Sequence, residues 1–325
     1  MKFLHLADTH FSNSLSYNKA NPVTGISFRF KEQLDLFKQI IKYAVDNDFE
    51  YILHAGDFYD RPNPTDLERT EVEKVLELVK KHNLKLIAIA GNHDIYDNYT
   101  SISDKFNHYC TFIDNPTVLD LGFKVVCVPT LRNHTDDQRK YFEKGDVLLI
   151  HTTFDGYLAS NNYKLKGIEK PSLEDYTYVA AGHLHKFQRV NVGYYPGSII
   201  RLNFGERGND NCFVAYSDGH IKIVKLKTTQ FFEFDEETLD FNSVPNNIVR
   251  VEVTDRDRIF DIKKKLSDSN PLWFGVKYRT DKRVKKKVSL QVSTEKTTLK
   301  ESFVNYCKMY GYSDEVIKMG MGILS

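Results

Sequence analysis

The chain has 325 residues, of which 41% are hydrophobic and 27% are charged, and its net charge is +1. At about 150 residues per domain this length predicts about two domains, and the composition excludes a disordered chain, a collagen and a coiled coil. Its apolar runs fall far short of the roughly 18 residues that indicate a membrane span, and the apolar N-terminal stretch is too short for a signal peptide. Four widely spaced cysteines without a CxxC pair predict free, buried thiols and a cytoplasmic protein.

Residues 1–230 alternate short apolar runs with helical patterns. Apolar residues recur at helical spacing over 30–47 and 66–82, which predicts two helices. This alternation predicts sheet-based α/β layering with helices on the faces of the sheets. Strands are predicted over 2–7, 51–55, 84–90, 124–128, 147–150, 178–181, 212–216 and 221–226.

The remaining residues indicate a second, smaller module. Residues 231–248 carry five acidic residues and no basic residue, and they predict a linker at the domain boundary. Residues 249–298 predict a small α+β module, and residues 299–325 predict a helical tail. The tail is rich in Met, Tyr and aliphatic side chains, so it either covers its own module or docks on a partner. The predicted elements of the module are strands over 249–253, 273–278 and 287–292 and a helix over 256–267.

The charge is unevenly distributed along this second module. Residues 249–300 carry 15 Lys plus Arg against 7 Asp plus Glu, a balance of +8. Such a segment favours contact with a polyanion, although a solvated basic face explains the same composition.

Five polar motifs follow predicted strands. In an open α/β sheet, sites form beyond the carboxyl ends of the strands, so these side chains are expected to converge. A single histidine is more often structural than a ligand, and one Gly-Asn-His-Asp segment could be a turn. Five such elements, each at a strand end, favour a functional site. The motifs are Asp8-Thr9-His10, Gly56-Asp57, Gly91-Asn92-His93-Asp94, His151 and Gly182-His183-Leu184-His185.

The side chains of these motifs suit a metal centre. Carboxylate, amide oxygen and imidazole are ligands for Mn²⁺, Fe²⁺ or Zn²⁺, and the lack of a thiol excludes a zinc-finger type of site. Two divalent ions about 3.5–4 Å apart can share a carboxylate, lower the pKa of water and clamp a phosphoryl oxygen. Asp57 is the natural choice for the shared carboxylate, whereas His5 and His54 lie inside predicted strands and are expected to be structural.

Taken in order, the motifs match the signature of the calcineurin-like metallophosphoesterases. Within that superfamily the chain resembles the SbcD-type nucleases of DNA double-strand-break repair, which work with an SMC-like ATPase called SbcC. The finer match extends over residues 1 to about 210. It is carried by the segments KFLHLADTHF, HAGDFYDRPNPTDLE, YVAAGHLHKFQ and YYPGSIIRLNFGE.

The resemblance implies a fold and a division of the chain. The fold would be an α/β metallophosphoesterase β-sandwich flanked by helices, with a small α+β capping domain and a helical C-terminal tail. Residues 1–230 would be the nuclease domain and 231–248 an acidic linker. Residues 249–298 would be a DNA-binding capping domain, and 299–325 would bind the ATPase partner.

The resemblance also implies the roles of the motif residues. One ion would be held by Asp8, His10, Asp57 and His185. The other ion would be held by Asp57, Asn92, His151 and His183. His93 would face the scissile phosphate and Asp94 would orient it. Position 60 is Asp60, where archaeal and eukaryotic members tend to have His.

The implied function is a Mn²⁺-dependent DNA exonuclease and endonuclease, with Mg²⁺ as the alternative metal, for DNA end processing, recombination and repair. Its implied partners are double- and single-stranded DNA, an SbcC-like ATPase and a second copy of the chain, without a membrane. The length is compatible with a phage-encoded member in the host cytoplasm. Phosphate contacts are expected from the basic residues Lys277, Arg279, Lys282, Arg283, Lys285, Lys286 and Lys287.

Two other interpretations stay open at this point. The first is a small-molecule phosphodiesterase or protein phosphatase on the same fold. The second is a non-catalytic subunit that clamps DNA and keeps a vestigial metal site.

Overall fold

The computed structural model describes residues 1–96, 99–100, 108–131, 137–169 and 173–279, and eight helical residues between 303 and 321. Residues Met1–Arg279 form one compact unit and Thr280–Ser325 a second. The predicted strand over 287–292 lies outside the described residues. Within the predicted tail, the described residues are helical. No helix in the described part of the chain is long and apolar enough to cross a membrane.

The described elements are seventeen strands, three α-helices and four short 3₁₀ helices. The strands are β1 (Lys2–Leu6), β2 (Tyr51–His54), β3 (Lys85–Ile89), β4 (Ile95–Tyr96), β5 (Tyr99–Thr100), β6 (Thr111–Ile113), β7 (Thr117–Asp120), β8 (Lys124–Val128), β9 (Val147–His151), β10 (Tyr178–Gly182), β11 (Gln188–Val190), β12 (Gly193–Tyr195), β13 (Cys212–Ser217), β14 (His220–Lys225), β15 (Phe231–Asp235), β16 (Ile248–Val253) and β17 (Trp273–Tyr278). The α-helices are α1 (Phe28–Asp46), α2 (Asp66–Lys81) and α3 (Arg258–Asp268). The 3₁₀ helices are Gln138–Tyr141, Leu173–Asp175, Phe204–Glu206 and Phe241–Ser243.

Two six-stranded sheets pack face to face as a sandwich. The first sheet has the order β14-β13-β1-β2-β3-β6 and the second β11-β12-β10-β9-β8-β7. The strands β1, β2 and β3 are parallel to one another, and so are β8, β9 and β10. Phe3, Leu53, Cys127, Leu149 and Tyr178 are buried in the core between the two sheets. This arrangement confirms the predicted metallophosphoesterase sandwich.

The outer faces of the two sheets are covered differently. Helices α1 and α2 pack on the first sheet, where Phe37 and Leu76 meet Leu4 in one buried cluster. On the second sheet the outer cover includes Phe154, from an irregular segment, and Leu173, from a short 3₁₀ helix. The expected α-helices on sheet faces are therefore found, in the described part of the sandwich, on the first sheet only.

A three-stranded parallel sheet, β15-β16-β17, follows the sandwich in the chain. Helix α3 packs Ile262 and Leu266 onto Val251 of β16. The prediction that 231–248 is only a linker is wrong, because Phe231–Asp235 forms β15 in this sheet. The acidic Glu233 lies on the other face, where Arg250 donates a hydrogen bond of 2.8 Å to it. Phe232 and Phe234 pack on the α3 side, whereas Phe231 packs with Phe204 and Ile248 on the side of Glu233, so both faces of β15 carry apolar contacts.

The four cysteines are free and buried, as predicted. Burial raises the pKa of the thiols of Cys110, Cys127 and Cys212 to about 12. These thiols are therefore protonated and unreactive at neutral pH.

Candidate metal centre

The five motifs converge at one end of the sandwich. Asp8 and His10 follow β1, Asp57 follows β2, and Asn92 and His93 follow β3. The second sheet contributes three histidines, which end or follow β9 and β10: His151, His183 and His185. The two sheets thus bring together all seven of the metal ligands named by the resemblance.

A first group of side chains is almost completely buried. The ligand atoms of Asp8, His10, Asp57 and His185 lie within 4.8 Å of one another. The Nε2 atom of His10 is 3.1 Å from Nε2 of His185 and 3.5 Å from Oδ2 of Asp57. His185 is the member nearest to solvent, with 22% of its side chain exposed.

A second group shares Asp57 with the first. The ligand atoms of Asp57, His151 and His183 lie within 4.8 Å of one another. The amide oxygen of Asn92 is 3.0 Å from Nε2 of His151 and 2.8 Å from Nδ1 of His183. Oδ2 of Asp57 is 3.4 Å from Nε2 of His151. Asp57 therefore occupies the position between the two groups that a shared carboxylate requires.

The loops that carry these side chains are held in an unusual backbone conformation. Asp8, His10, Asp57 and His183 have φ angles of 52°, 44°, 55° and 99°. Non-glycine residues adopt the left-handed region at a cost of about 1–2 kcal/mol per residue. Hydrogen bonds between the loops after β1 and β2 stabilise this conformation. The N–H groups of Asp8 and His10 donate to the carbonyls of Gly56 and Asp57, both at 3.0 Å. Such strain is typical of functional sites.

Two glycines allow the sheet ends to approach. Gly56 has a φ of +91°, and a Cβ added there would lie 2.3 Å from Nδ1 of His151. A Cβ on Gly182 would lie 1.9 Å from the carbonyl oxygen of Ala55. Glycine is therefore required at both places, because any side chain would push the ligands of the second sheet away from those of the first.

Two buried polar side chains of the helices support the first loop. Gln33 of α1 donates to the carbonyls of Thr9 at 2.7 Å and His10 at 2.6 Å. Glu68 of α2 accepts a hydrogen bond of 2.6 Å from the N–H of Asn13. Neither residue was among the predicted site residues, although a polar residue on the buried face of an amphipathic helix is a signal that could have indicated them.

The electrostatics of the centre depend on its carboxylates. Burial lowers the pKa of His10, but Asp60, Asp57 and Asp8 outweigh burial and raise it to about 9. His151 behaves in the same way beside Asp57, and its pKa is also raised to about 9. The carboxylates therefore draw positive charge into the centre, either as protons or as cations that displace those protons.

The hydrogen-bond chemistry of the two groups fits metal ions. The Nδ1 atom of His185 is 3.0 Å from a Glu206 carboxylate, and that of His151 is 2.7 Å from the Ala55 carbonyl. When each Nδ1 donates its proton, each neutral ring directs the lone pair of Nε2 into the centre. In the first group that lone pair faces His10, and in the second it faces the oxygens of Asn92 and Asp57. Acceptors facing acceptors at about 3 Å repel one another unless a proton or a cation lies between them.

His93 is held differently from the metal-type ligands. Its Nδ1 is 2.8 Å from the backbone carbonyl of Asp60, and its N–H donates to Oδ1 of Asp57 at 2.8 Å. The Nε2 atom is therefore the one available toward a substrate. The buried carboxylate of Asp94 accepts from the N–H groups of Phe58, Tyr59 and Gly91 at 2.9 to 3.0 Å. The carbonyl of Asp60 thus orients the ring of His93, and Asp94 ties the two loops together. A role of Asp94 in orienting His93 stays a prediction.

The predicted DNA contacts are only partly described. Lys277 and Arg279 are exposed on and just after β17, and both pair with Glu252, at 3.4 Å and 3.3 Å. The other five predicted contacts lie outside the described residues: Lys282, Arg283, Lys285, Lys286 and Lys287.

Two cavities flank the centre and meet at His183. One of about 260 Å³ is lined by Asn92 and His151, and the other of about 340 Å³ by His185 and Glu206. The segment between β9 and β10 contributes walls to both cavities. A phosphate ester can therefore reach the ligand groups from the surface.

The fold and the site together define a phosphoesterase with a candidate dinuclear metal centre. The family model of the calcineurin-like phosphoesterases matches residues 1–187, which hold all five motifs. The chain belongs to the calcineurin-like phosphoesterase family.

Curated relatives point to DNA repair. The DNA double-strand break repair protein Mre11 of Methanocaldococcus jannaschii is 25% identical over 281 residues, covering 77% of this chain and 74% of the relative. The protein of that name from Methanococcus maripaludis is 25% identical over 291 residues, covering 83% and 71%. The one from Sulfurisphaera tokodaii is 22% identical over 376 aligned positions, covering 100% and 92%. The resemblance predicted from the motifs is thereby confirmed.

Proposed function

We propose that this chain is a Mn²⁺-dependent nuclease that hydrolyses DNA phosphodiester bonds during DNA end processing and repair. The observation that carries the proposal is the pair of ligand groups joined by Asp57 at the converging ends of the two sheets. The names of the relatives support DNA as the substrate, and the cavities beside His183 give a phosphodiester access to the centre.

The residues of the centre divide into two roles. Asp8, His10, Asp57 and His185 would hold one ion, and Asp57, Asn92, His151 and His183 the other. Two such ions would supply Lewis-acid stabilisation of the phosphoryl group and activation of water.

His93 would act on the substrate itself. Its Nδ1 proton is engaged by the carbonyl of Asp60, so Nε2 is left to face the phosphodiester. The departing sugar oxygen is a poor leaving group. With Nδ1 engaged by Asp60, the doubly protonated imidazole carries its second proton on Nε2, and that proton would be donated to the sugar oxygen.

The proposed partners extend beyond the described site. We propose that the basic segment 277–287 binds DNA backbone phosphates, and that the tail over 299–325 binds an SbcC-like ATPase. We also propose a homodimer that works in the cytoplasm, in a host cell if the chain is phage-encoded.

The test is digestion of linear duplex and single-stranded DNA by the full chain in Mn²⁺, with a chromogenic phosphodiester assayed in parallel. We expect degradation of both DNAs in Mn²⁺ and none with a chelator. Hydrolysis of the chromogenic ester without any cleavage of DNA would instead favour a small-molecule phosphodiesterase. No hydrolysis of either substrate in Mn²⁺ or Mg²⁺ would favour a non-catalytic DNA-clamping subunit.

A further inference from the structure

Each imidazole of the first ligand group has a carboxylate behind it. Oε1 of Glu206 is 3.0 Å from Nδ1 of His185. Oδ1 of Asp60 is 3.3 Å from Nδ1 of His10, close enough to act through its charge but without the alignment of a hydrogen bond. In both rings Nε2 is the atom that faces the other ligands, since the two Nε2 atoms are 3.1 Å apart. Neither Asp60 nor Glu206 is among the metal ligands that the resemblance implies.

The second ligand group is supported by neutral oxygens. Nδ1 of His151 is 2.7 Å from the backbone carbonyl of Ala55, whereas the 2.8 Å contact between Nδ1 of His183 and the amide oxygen of Asn92 lies within the group itself. Asp57 is shared by the two groups, so the first group has more negative charge behind and within it.

The difference has two physical consequences. A carboxylate that accepts the outer N–H of a histidine fixes its tautomer and raises the basicity of the nitrogen that faces the metal. Two additional negative charges also strengthen the attraction of a divalent cation inside a buried site. The first effect acts on His185 through Glu206. The second acts on the whole first group through Asp60 and Glu206.

Burial and hydrogen bonds fix the position of the Glu206 carboxylate beside His185. The side chain of Glu206 is 4% exposed. Its Oε2 accepts from the N–H of Leu202 at 2.9 Å, and its Oε1 accepts from the side-chain amide of Asn203 at 3.0 Å. The short 3₁₀ helix Phe204–Glu206, which Asn203 caps, sets the direction of the carboxylate toward His185.

We propose that Glu206 is a positioning residue, which orients His185 toward one metal ion, and that Asp60 adds negative charge beside His10, so that this is the tighter of two metal sites. The inference rests on the proposed two-metal function, but it concerns the order in which the two sites fill rather than the substrate. At limiting Mn²⁺ the first group fills and the second group stays exchangeable.

The test is calorimetric titration of the chelator-treated full chain with Mn²⁺, comparing the wild type with Asp60→Asn and Glu206→Gln. We expect two binding steps in the wild type. Each variant should weaken the tighter step by about 10- to 100-fold, the usual effect of removing such a partner, and leave the weaker step unchanged. Glu233→Gln is the matched control, because it makes the same carboxylate-to-amide change at a residue that pairs with Arg250 outside the centre.

A second measurement separates positioning from a purely structural role. The metal-free melting temperature of Asp60→Asn and Glu206→Gln should stay close to that of the wild type. A loss of both binding steps together with a lowered metal-free melting temperature would overturn the inference, and so would an equal loss in Glu233→Gln. If both variants bind Mn²⁺ as the wild type does, the inference is overturned and the two-metal function still stands. A wild type that binds no Mn²⁺ would overturn the proposed function itself.

Discussion

The two sheets of the sandwich contribute different chemistry to the centre. The first sheet supplies every oxygen ligand, from Asp8, Asp57 and Asn92, whereas the ligands of the second sheet, such as His151 and His183, are all imidazoles. Charge thus comes from one sheet, and the second sheet closes the site with groups that are neutral once a metal has displaced their protons. Because neither sheet supplies both kinds of chemistry for both ions, the metal centre forms only where the ends of the two sheets meet.

The same comparison applies to how the two sheets are supported. Helices α1 and α2 cover the first sheet, and through Gln33 and Glu68 they also hold the loop after β1. In the described residues, the ligands of the second sheet depend on backbone carbonyls and on the 3₁₀ helix that carries Glu206. Substitutions in the two sheets are therefore expected to differ in their effects on Mn²⁺ binding and on activity.

The largest loss of activity and of Mn²⁺ binding is expected from a substitution in the first sheet. Asp57→Ala should abolish nuclease activity and remove both Mn²⁺ binding steps, because its carboxylate belongs to both ligand groups. Calorimetry and DNA digestion check this, and Asp57→Asn provides a variant of matched shape. Activity at the wild-type level in Asp57→Ala would contradict the two-metal account.

A change in the second sheet should have a more limited effect on the metals. His151→Ala should lose one Mn²⁺ binding step and keep the other, since only the second ligand group contains this imidazole. The number of Mn²⁺ ions bound per chain, measured after equilibrium dialysis, should fall from about two to about one. Loss of both ions from a chain that is still folded would show that the two sheets do not contribute separately.

His93→Ala should leave both ions bound. His93 is expected to act as a general acid on the phosphodiester. Its loss should therefore lower the cleavage rate by about 10²- to 10⁴-fold, the usual range for such a group. Steady-state cleavage and Mn²⁺ titration are measured on the same preparation. If His93→Ala releases either ion, the imidazole is a ligand instead.

The smallest effect, a change in stability alone, is expected from a substitution in helix α2, which packs on the first sheet. Thr65 caps α2 and forms a capping box with Glu68. Thr65→Ala should lower the free energy of unfolding by about 1 kcal/mol without changing Mn²⁺ binding. Denaturant unfolding measures this, and Glu77→Ala on the exposed face of α2 should stay within about 0.5 kcal/mol of the wild type. An equal loss in both variants would argue against a specific cap.

The sequence predicts the parts of this molecule that depend on local patterns. The central strands and the two long helices have clear periodicity, and the site motifs follow strands β1, β2, β3, β9 and β10 directly. Because parallel strands carry their ends to one edge, the convergence of Asp8, Asp57 and His183 could be inferred before any coordinates.

The parts that the sequence misses depend on distant contacts. The strands β7, β11 and β12 are only three or four residues long, too short for a reliable period. Glu206 lies 21 residues after His185, and the role of its carboxylate depends on the 3₁₀ helix that aims it. The acidic residues Glu233 and Asp235 obscured the strand β15, and the contact of Glu233 with Arg250 becomes apparent only in the folded sheet.

The central claim is that oxygen ligands from one sheet and imidazoles from the other hold two metal ions around Asp57. Anomalous diffraction from crystals soaked in Mn²⁺ tests it most directly. We expect two peaks about 3.5–4 Å apart, one among Asp8, His10 and His185 and one among the ligands of the second group, with Asp57 between them. A single peak, no peak, or peaks away from Asp57 would contradict the account.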